Sequence, residues 1–336
     1  MNARVKTGFE MLKETFQEWK DDDALQLGAA LAYYTIFSLA PMLLVVIAVA
    51  GLVWQREAVQ GEIVHQIQGL VGQQGAEAIQ TMIANAGRQG EKSGILATII
   101  AVATILFGAT GVFTQLQSSL NHIWDVEPKP GAGVRGLLKT RLLSFGMILA
   151  IGFLLLVSLV VSTALAAVGT YMTSLLPAGA EILMKALTFA VSFAVITVLF
   201  AMMYRFLPDV KIAWRDVWVG ATVTALLFTI GKFLIGLYLG NSSVASTFGA
   251  AGSVIVLLLW IYYSTQILFF GAEFTQVYAT RYGSRIEPDK DAVRVQEVKV
   301  PVGEGEGGGR EARRRDPSPR PAGGGGRTPA HGRGRA

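Results

Sequence analysis

Apolar residues along this chain are gathered into six long stretches that charged residues barely interrupt. Each is about as long as the run of 20 residues that an α-helix needs to cross the roughly 30 Å hydrocarbon core of a bilayer. A surface helix of a soluble protein shows a polar face, and these stretches show none. The pattern therefore predicts an all-α fold, a polytopic membrane helix bundle with six transmembrane helices. The predicted spans are residues 29–54, 95–113, 142–168, 182–204, 217–239 and 253–279.

Charged residues in the connecting segments predict how these spans are oriented. Lysine and arginine are concentrated in the N-terminal segment, in the loops that follow the second and fourth spans, and after the sixth span. The alternate loops are poor in both: 169–181 and 240–252 have none, and 55–93 has three. Because cytoplasmic loops carry the excess of basic residues, we expect a multi-pass protein of the cell (inner) membrane with both termini in the cytoplasm.

Two segments outside the spans show amphipathic periodicity. Residues 1–24 are predicted to form a cytoplasmic amphipathic helix, along the membrane face or against the cytoplasmic ends of the bundle. Residues 55–93 hold two further amphipathic patterns separated by glycines, which favours an extracytoplasmic helical hairpin. The apolar stripe of the first helix consists of Val5, Phe9, Leu12, Phe16 and Trp19.

From residue 287 the composition changes to glycine, proline and arginine, which predicts a disordered cytoplasmic tail over 287–336. From Arg310 onward, eight arginines stand against two acidic residues, a balance of +6 within a chain of net charge +5. The rest of the chain is therefore close to neutral, and nucleic acid is not an expected partner of the folded body. Either the tail is dispensable, or its arginines contact anionic lipid or RNA.

Overall composition agrees with the membrane assignment, since 52% of residues are hydrophobic and 16% are charged. The chain has no cysteine, which excludes disulfides, thiolate metal sites and cysteine nucleophiles. The first apolar stretch is too long and begins too late for a cleaved signal peptide, so we expect it to remain as a span.

Polar residues within the first span form the first candidate site. Pro41 lies in the span's interior, where proline removes a backbone hydrogen bond and usually kinks a helix. Tyr33, Tyr34, Thr35 and Ser38 form a polar cluster before it. The cluster either makes interhelical hydrogen bonds or lines a polar pathway.

The other candidates are isolated polar or charged residues. Glu273 is the one acidic residue clearly within a span, near its cytoplasmic end. It forms either a structural ion pair, with Arg205 or Arg141 as partner, or a carboxylate that couples transport. Lys232 lies near the outer end of the fifth span, from which it can snorkel outward. Asn121 belongs to a polar run that marks the second span leaving the membrane.

Four stretches of the chain together resemble the YihY/BrkB family of bacterial inner-membrane proteins. They are DDDALQLGAALAYYTIFSLAP, LNHIWDVE, RFLPD with WRDVWVGA, and FGAAGS followed by LLLWIYYSTQILFFGAEF. They lie in order within about residues 10 to 285. The resemblance implies six helices with both termini inside, a role in the cell envelope and virulence-associated serum resistance. It implies no particular substrate.

Sequences of this family are often labelled ribonuclease BN, a label that the residues do not support. RNA cleavage usually needs metal-binding carboxylates or a histidine acid–base pair. The one carboxylate cluster, Asp21–Asp23, stands at a helix start, where capping and the helix dipole explain it. His122 is isolated, and His65 is assigned to the opposite side of the membrane. No phosphate-binding, zinc-protease or serine-hydrolase motif is present. We therefore expect no enzyme, and no catalytic, cofactor-binding or metal-binding residues.

These features favour a transporter or exporter of an envelope-related solute or lipid, a small-molecule or lipid substrate that the sequence does not identify. The alternative is a non-transporting membrane scaffold or envelope-assembly factor. The expected partner is the lipid bilayer. Small residues at Gly220–Ala221 and Gly249–Gly252 permit helix contacts within one chain or between chains of a homo-oligomer.

Overall fold

A computed structural model of the chain is mostly helical, in agreement with the predicted fold class. It contains helices α1 (Ala3–Asp21), α2 (Ala24–Ala50), α3 (Ala180–Phe206), α4 (Trp214–Asn241) and α5 (Gly252–Tyr282). Two further helical stretches are called segment 76–84 and segment 111–123. The structure describes residues 3–50, 60, 61, 64, 68, 76–84, 111–129, 146, 150, 153, 154, 180–241, 252–283 and 286–295.

Three described helices are long and apolar enough to cross a membrane: Ile182–Phe206, Trp214–Tyr238 and Val254–Tyr282. They coincide with the fourth, fifth and sixth predicted spans. Most of the first predicted span lies in α2, which continues through Pro41 as one helix and includes the shorter apolar stretch Ala24–Leu39. The second and third predicted spans lie almost entirely outside the described residues.

Helices α4 and α5 are held together by a reciprocal pair of glycine–threonine contacts. Gly220 on α4 packs against Thr275 on α5, and Gly271 on α5 packs against Thr224 on α4. Each threonine hydroxyl donates to a carbonyl of its own helix, Thr224 to Gly220 (2.8 Å) and Thr275 to Gly271 (2.6 Å). The hydroxyls are thereby satisfied inside an apolar interface, and the small glycines allow the two backbones to approach closely.

Two short antiparallel strand pairs join the segments at one end of the helices. β1 (Val126–Pro128) pairs with β4 (Ala292–Arg294), and β2 (Val210–Lys211) pairs with β3 (Glu287–Pro288). Neither pair was predicted from the sequence. The tail predicted to be disordered begins at residue 287. Its first residues instead include the strands β3 and β4, which follow α5. Residues beyond 295 lie outside the described part of the chain.

Helix α1 packs against α5 at this same end, which we call the α1 end. Thr15 is fully buried there, and Glu14 forms an ion pair with Arg281 of α5. The predicted helix is therefore present and packs against the end of the bundle. Three residues of its apolar stripe, however, lie off the contact face: the exposed fractions are 68% for Phe9, 47% for Leu12 and 56% for Phe16. Trp19, at the end of the stripe, is half-buried against the main core.

The largest hydrophobic core also lies toward the α1 end. Trp124, which follows segment 111–123, is 1% exposed, and its ring lies 6.1 Å from the Tyr204 ring in an edge-to-face arrangement. The Tyr204 hydroxyl donates to the Leu268 carbonyl (2.7 Å) and lies 3.0 Å from the Thr224 hydroxyl. This core joins segment 111–123 to α3, α4 and α5.

Candidate functional site

Glu273 is fully buried on α5, toward the α1 end. Neither carboxyl oxygen forms a hydrogen bond with any residue that the structure describes. The carboxyl group instead faces the carboxyl group of Asp22, close enough for the two to interact directly. A buried acid opposite another acid is costly unless the pair holds a proton or a bound cation.

The turn between α1 and α2 brings Asp22 to this position. Asp21 ends α1 and accepts hydrogen bonds from the Gln17 amide (3.0 Å and 3.2 Å). Asp23 has a φ of 50°, a left-handed conformation that aspartate tolerates better than most residues, and α2 begins at Ala24. A capping role was predicted for all three aspartates. The described contact of Asp22 is instead with Glu273.

Further titratable groups surround the pair. Glu18 on α1 and Asp125 both lie near enough to act electrostatically on Asp22 and on Glu273. The His122 ring, one residue before the end of segment 111–123, acts on Asp22 with the opposite sign. Gln276 donates a long hydrogen bond of 3.4 Å to Asp125. The site is therefore acidic, and His122 is the described group that offsets it.

Burial of Asp22 raises its pKa to about 6, His122 opposes that rise, and the Asp125 and Glu18 carboxylates add to it. Burial together with Asp21 and Asp125 also raises the pKa of Glu18. Both groups can consequently change their protonation state closer to neutral pH than free carboxyl groups do.

Arg205, predicted as a partner of Glu273, is engaged elsewhere. Its guanidinium donates to the Ile212 carbonyl and lies 5.7 Å from the centre of the Trp214 ring, a cation–π contact. The prediction that it pairs with Glu273 is wrong, because these contacts hold the side chain beside the loop between α3 and α4. Arg141, the other predicted partner, lies outside the described residues.

Asn121 has a structural role at the α1 end. Its amide nitrogen donates to the Asp209 carboxylate (2.9 Å), and its amide oxygen accepts from the Asp209 backbone N–H (2.8 Å). Gln117 donates to the same carboxylate (3.1 Å). These bonds tie segment 111–123 to the turn after α3, so Asn121 positions the frame of the site and is not part of the carboxyl cluster.

The predicted polar cluster on the first span is divided between two environments. Tyr33 and Tyr34 are 60% and 43% exposed, whereas Ser38 is 3% exposed. The Thr35 hydroxyl donates to the Leu31 carbonyl (2.7 Å). Ser38 lies about 21 Å along α2 from its first residue, so the cluster and the Asp22–Glu273 pair do not form one site.

Lys232 is half-buried on α4, next to Gly231, which packs against Tyr263 and Ile267 of α5. Those contacts place Lys232 more than a helical turn from Glu273. Pro41 lies within α2, and its side chain lies outside the described part of the structure.

Asp22, Glu18 and Asp125 were not predicted from the sequence to belong to the site. The DDD and WDVE stretches that contain two of them were visible as motifs, but nothing local indicated that they meet at Glu273. Among the described residues, no group of three or more histidine, aspartate or glutamate side chains is arranged to hold a metal ion.

Comparisons with known proteins identify the family to which the chain belongs. The family model described as "Virulence factor BrkB" matches residues 15–296. The chain is 30% identical over 287 residues to the UPF0761 membrane protein PSPA7_4558 of Pseudomonas paraeruginosa, covering 81% of this chain and 63% of that protein. It is 28% identical over 258 residues to a UPF0761 membrane protein of Aeromonas salmonicida, covering 73% and 80%.

The chain thus spans less than two thirds of the length of the Pseudomonas relatives that it matches. No solved structure matches it. The family match extends from α1 to the last strand, and it includes every residue of the carboxyl cluster described above. The resemblance inferred from the motifs is confirmed: the chain belongs to the BrkB family of membrane proteins.

Proposed function

We propose that this chain is a transporter of the cell (inner) membrane that moves an envelope-related solute or lipid, with Glu273 as its proton-coupling group. The observation that carries the proposal is the position of Glu273. Its carboxyl group is fully buried, has no hydrogen-bond partner among the described residues and faces the carboxyl group of Asp22. Ionisable groups in membrane spans usually mark ion or substrate pathways.

The chemistry of the pair supports coupling. Two carboxyl groups that face each other out of water cannot both carry a charge at low cost, so they share one proton. Loss of that proton leaves two like charges between α5 and the α1–α2 turn, and their repulsion drives these elements apart. Proton binding and the separation of α1 from α5 are thereby linked, as a coupling site requires.

The arrangement of the connecting segments supports cytoplasmic termini. α1, the strand after segment 111–123, the loop between α3 and α4, and the strands after α5 all lie at the α1 end. Lysine and arginine recur in these segments, with Lys13 and Lys20 in α1, Lys129 after β1, Lys211 in β2 and Lys290 between β3 and β4. Under the positive-inside rule the α1 end then faces the cytoplasm, and Asp22 and Glu273 take their proton from that side.

The test is reconstitution of the full chain into liposomes that contain a pH-sensitive dye and fluorescent lipid. Wild-type protein is expected to show proton movement driven by a solute gradient, or lipid scrambling that depends on pH. Glu273→Gln is expected to abolish that dependence. Glu127→Gln, which neutralises an exposed carboxylate at the same end, is the matched control and is expected to behave as wild type.

Either of two outcomes would count against the proposal. Wild-type liposomes silent across a broad solute and lipid panel would remove the transport function. Normal coupling in Glu273→Gln, at equal protein abundance, would remove Glu273 from it while leaving transport intact.

A non-transporting membrane scaffold is the second candidate, and the α4–α5 interface favours it. The reciprocal contacts of Gly220 with Thr275 and of Gly271 with Thr224 leave little room for these helices to slide. A scaffold with this interface would be silent in every flux assay, and Glu273→Gln would change only its stability.

A further inference from the structure

A second buried polar group lies on the same side of α5 as Glu273. Gln266 precedes Glu273 by seven residues, two helical turns, which corresponds to about 10 Å along the axis. Both atoms of its amide that can form hydrogen bonds are buried, and neither has a partner among the described residues. Gln266 was not among the candidates predicted from the sequence.

The opposing helix makes room for this amide. Gly28 of α2 contacts the Gln266 amide nitrogen so closely that a methyl group at position 28 would overlap it. Thr265 lies at the same place, and its hydroxyl donates to the Tyr262 carbonyl (2.7 Å) and more weakly to the Gly28 carbonyl (3.3 Å). Gly28, Thr265 and Gln266 therefore form a polar seam between α2 and α5, six residues along the chain from Asp22.

An amide with no partner is expensive in this setting. Lipid offers no hydrogen bonds, so an unsatisfied buried polar group is destabilising there. Buried polar groups of native proteins that lack protein partners are usually satisfied by ordered water. The glutamine amide has two donors and two acceptor sites, enough to bind more than one water molecule.

We propose that the seam at Gly28, Thr265 and Gln266 is a water-binding site inside the membrane, reached from the α1 end past Asp22 and Glu273. The inference rests on the proposed function, because it supplies the hydrated route by which a proton or polar solute continues beyond the carboxyl pair. Gln266 binds the water, and Gly28 makes room for the amide that binds it.

Thiol accessibility tests this directly, since the chain contains no cysteine that would need to be removed. Gln266→Cys is treated in sealed vesicles with a membrane-impermeant cationic methanethiosulfonate. The control is Ile230→Cys, a 50% exposed, apolar position on α4 next to Gly231, at the depth of Ile267. Only a hydrated thiol ionises and reacts, so Gln266→Cys is expected to react at least about tenfold faster than the control.

The side of access and a second variant complete the experiment. The reagent is expected to react from the α1 end only, and reaction from the other side alone would overturn the proposed access. Thr265→Cys, a conservative change in the same seam, gives the same answer if Gln266→Cys does not fold. Reaction of both seam cysteines as slowly as Ile230→Cys would show a dry interface and overturn the proposal.

The thiol-accessibility result can be distinguished from the result of the coupling assay. A reactive seam with normal coupling in Glu273→Gln would keep the water site and reject the coupling role of Glu273. An unreactive seam with coupling lost in Glu273→Gln would reject the water site and keep the coupling role of Glu273.

Discussion

The carboxyl group of Asp22, in the turn between α1 and α2, faces the carboxyl group of Glu273 on α5. The two residues come from opposite ends of the chain and carry charge of the same sign. Their contact joins the N-terminal helix to the last membrane-spanning helix. It also places a buried acid of α5 where protonation can affect the position of α1.

Neutralising Asp22 is expected to change stability in a pH-dependent way. The pKa of Asp22 is raised to about 6 in the folded chain from 3.8. Between pH 3.8 and about 6 the native state therefore keeps a proton on Asp22 that the unfolded state has lost. The stability of the wild type consequently falls as pH rises through this range. Asp22→Asn avoids the charge, so its unfolding temperature in detergent should exceed that of wild type above pH 6.

The same measurement at lower pH provides the internal control. The difference between Asp22→Asn and wild type is expected to shrink as pH falls from 6 toward 4, because the wild-type carboxyl is then protonated. A difference that stays constant across this range would contradict the assignment of the pH dependence to Asp22.

Gly220→Ala is expected to loosen the α4–α5 interface. A methyl group there would lie 2.8 Å from the Thr275 Cβ, too close for an ordinary contact. We expect a loss of about 1–3 kcal/mol in the free energy of unfolding. Gly236→Ala is the matched control, since a methyl group at that helical position meets no atom within 4 Å. Equal unfolding temperatures for the two variants would show that the close approach is unimportant.

Loss of the Asn121 amide is expected to weaken the frame around the site. Asn121→Ala removes both hydrogen bonds to Asp209 and leaves a half-buried carboxylate with fewer partners. The expected loss is about 1–3 kcal/mol, measured by thermal unfolding in detergent. Gln115→Ala, which removes only a 3.3 Å bond to Ser119 on the same segment, should cost less. A larger effect at Gln115 would contradict this ranking.

Two truncations distinguish the strands from the remainder of the C-terminal segment. A chain ending at Gln296 keeps β3 and β4 with their partners β2 and β1. A chain ending at Ile286 loses both strand pairs. We expect membrane abundance and unfolding temperature to be preserved in the first and lowered in the second. Equal values for both truncations would make the strand pairs dispensable.

Much of the architecture was predictable from local properties of the chain. The three described spans fall where long apolar stretches predicted them, because the preference of a helix for lipid is a sum over its own residues. The motifs also identified the family correctly. The strand pairs were missed because two- and three-residue strands have no periodicity that a sequence pattern can reveal.

The candidate site was only half predictable. Glu273 stood out because an acid in an apolar span is costly wherever its partner lies. Asp22 did not stand out, because a helix start explains the DDD stretch as well as a contact with Glu273 does. Arg205 offered the opposite charge that electrostatics favours, yet Trp214 and the Ile212 carbonyl hold it elsewhere.

The amino-acid sequence by itself determined that this chain is a membrane helix bundle, where its long apolar helices lie, and which buried acid is unusual. Only the tertiary structure decided that Glu273 meets Asp22, that Gln266 meets Gly28, and that Glu14 of α1 pairs with Arg281 of α5. Hydropathy depends on the composition of each segment alone. Contacts between distant side chains depend on how each helix is rotated and how closely small residues let it approach its neighbour.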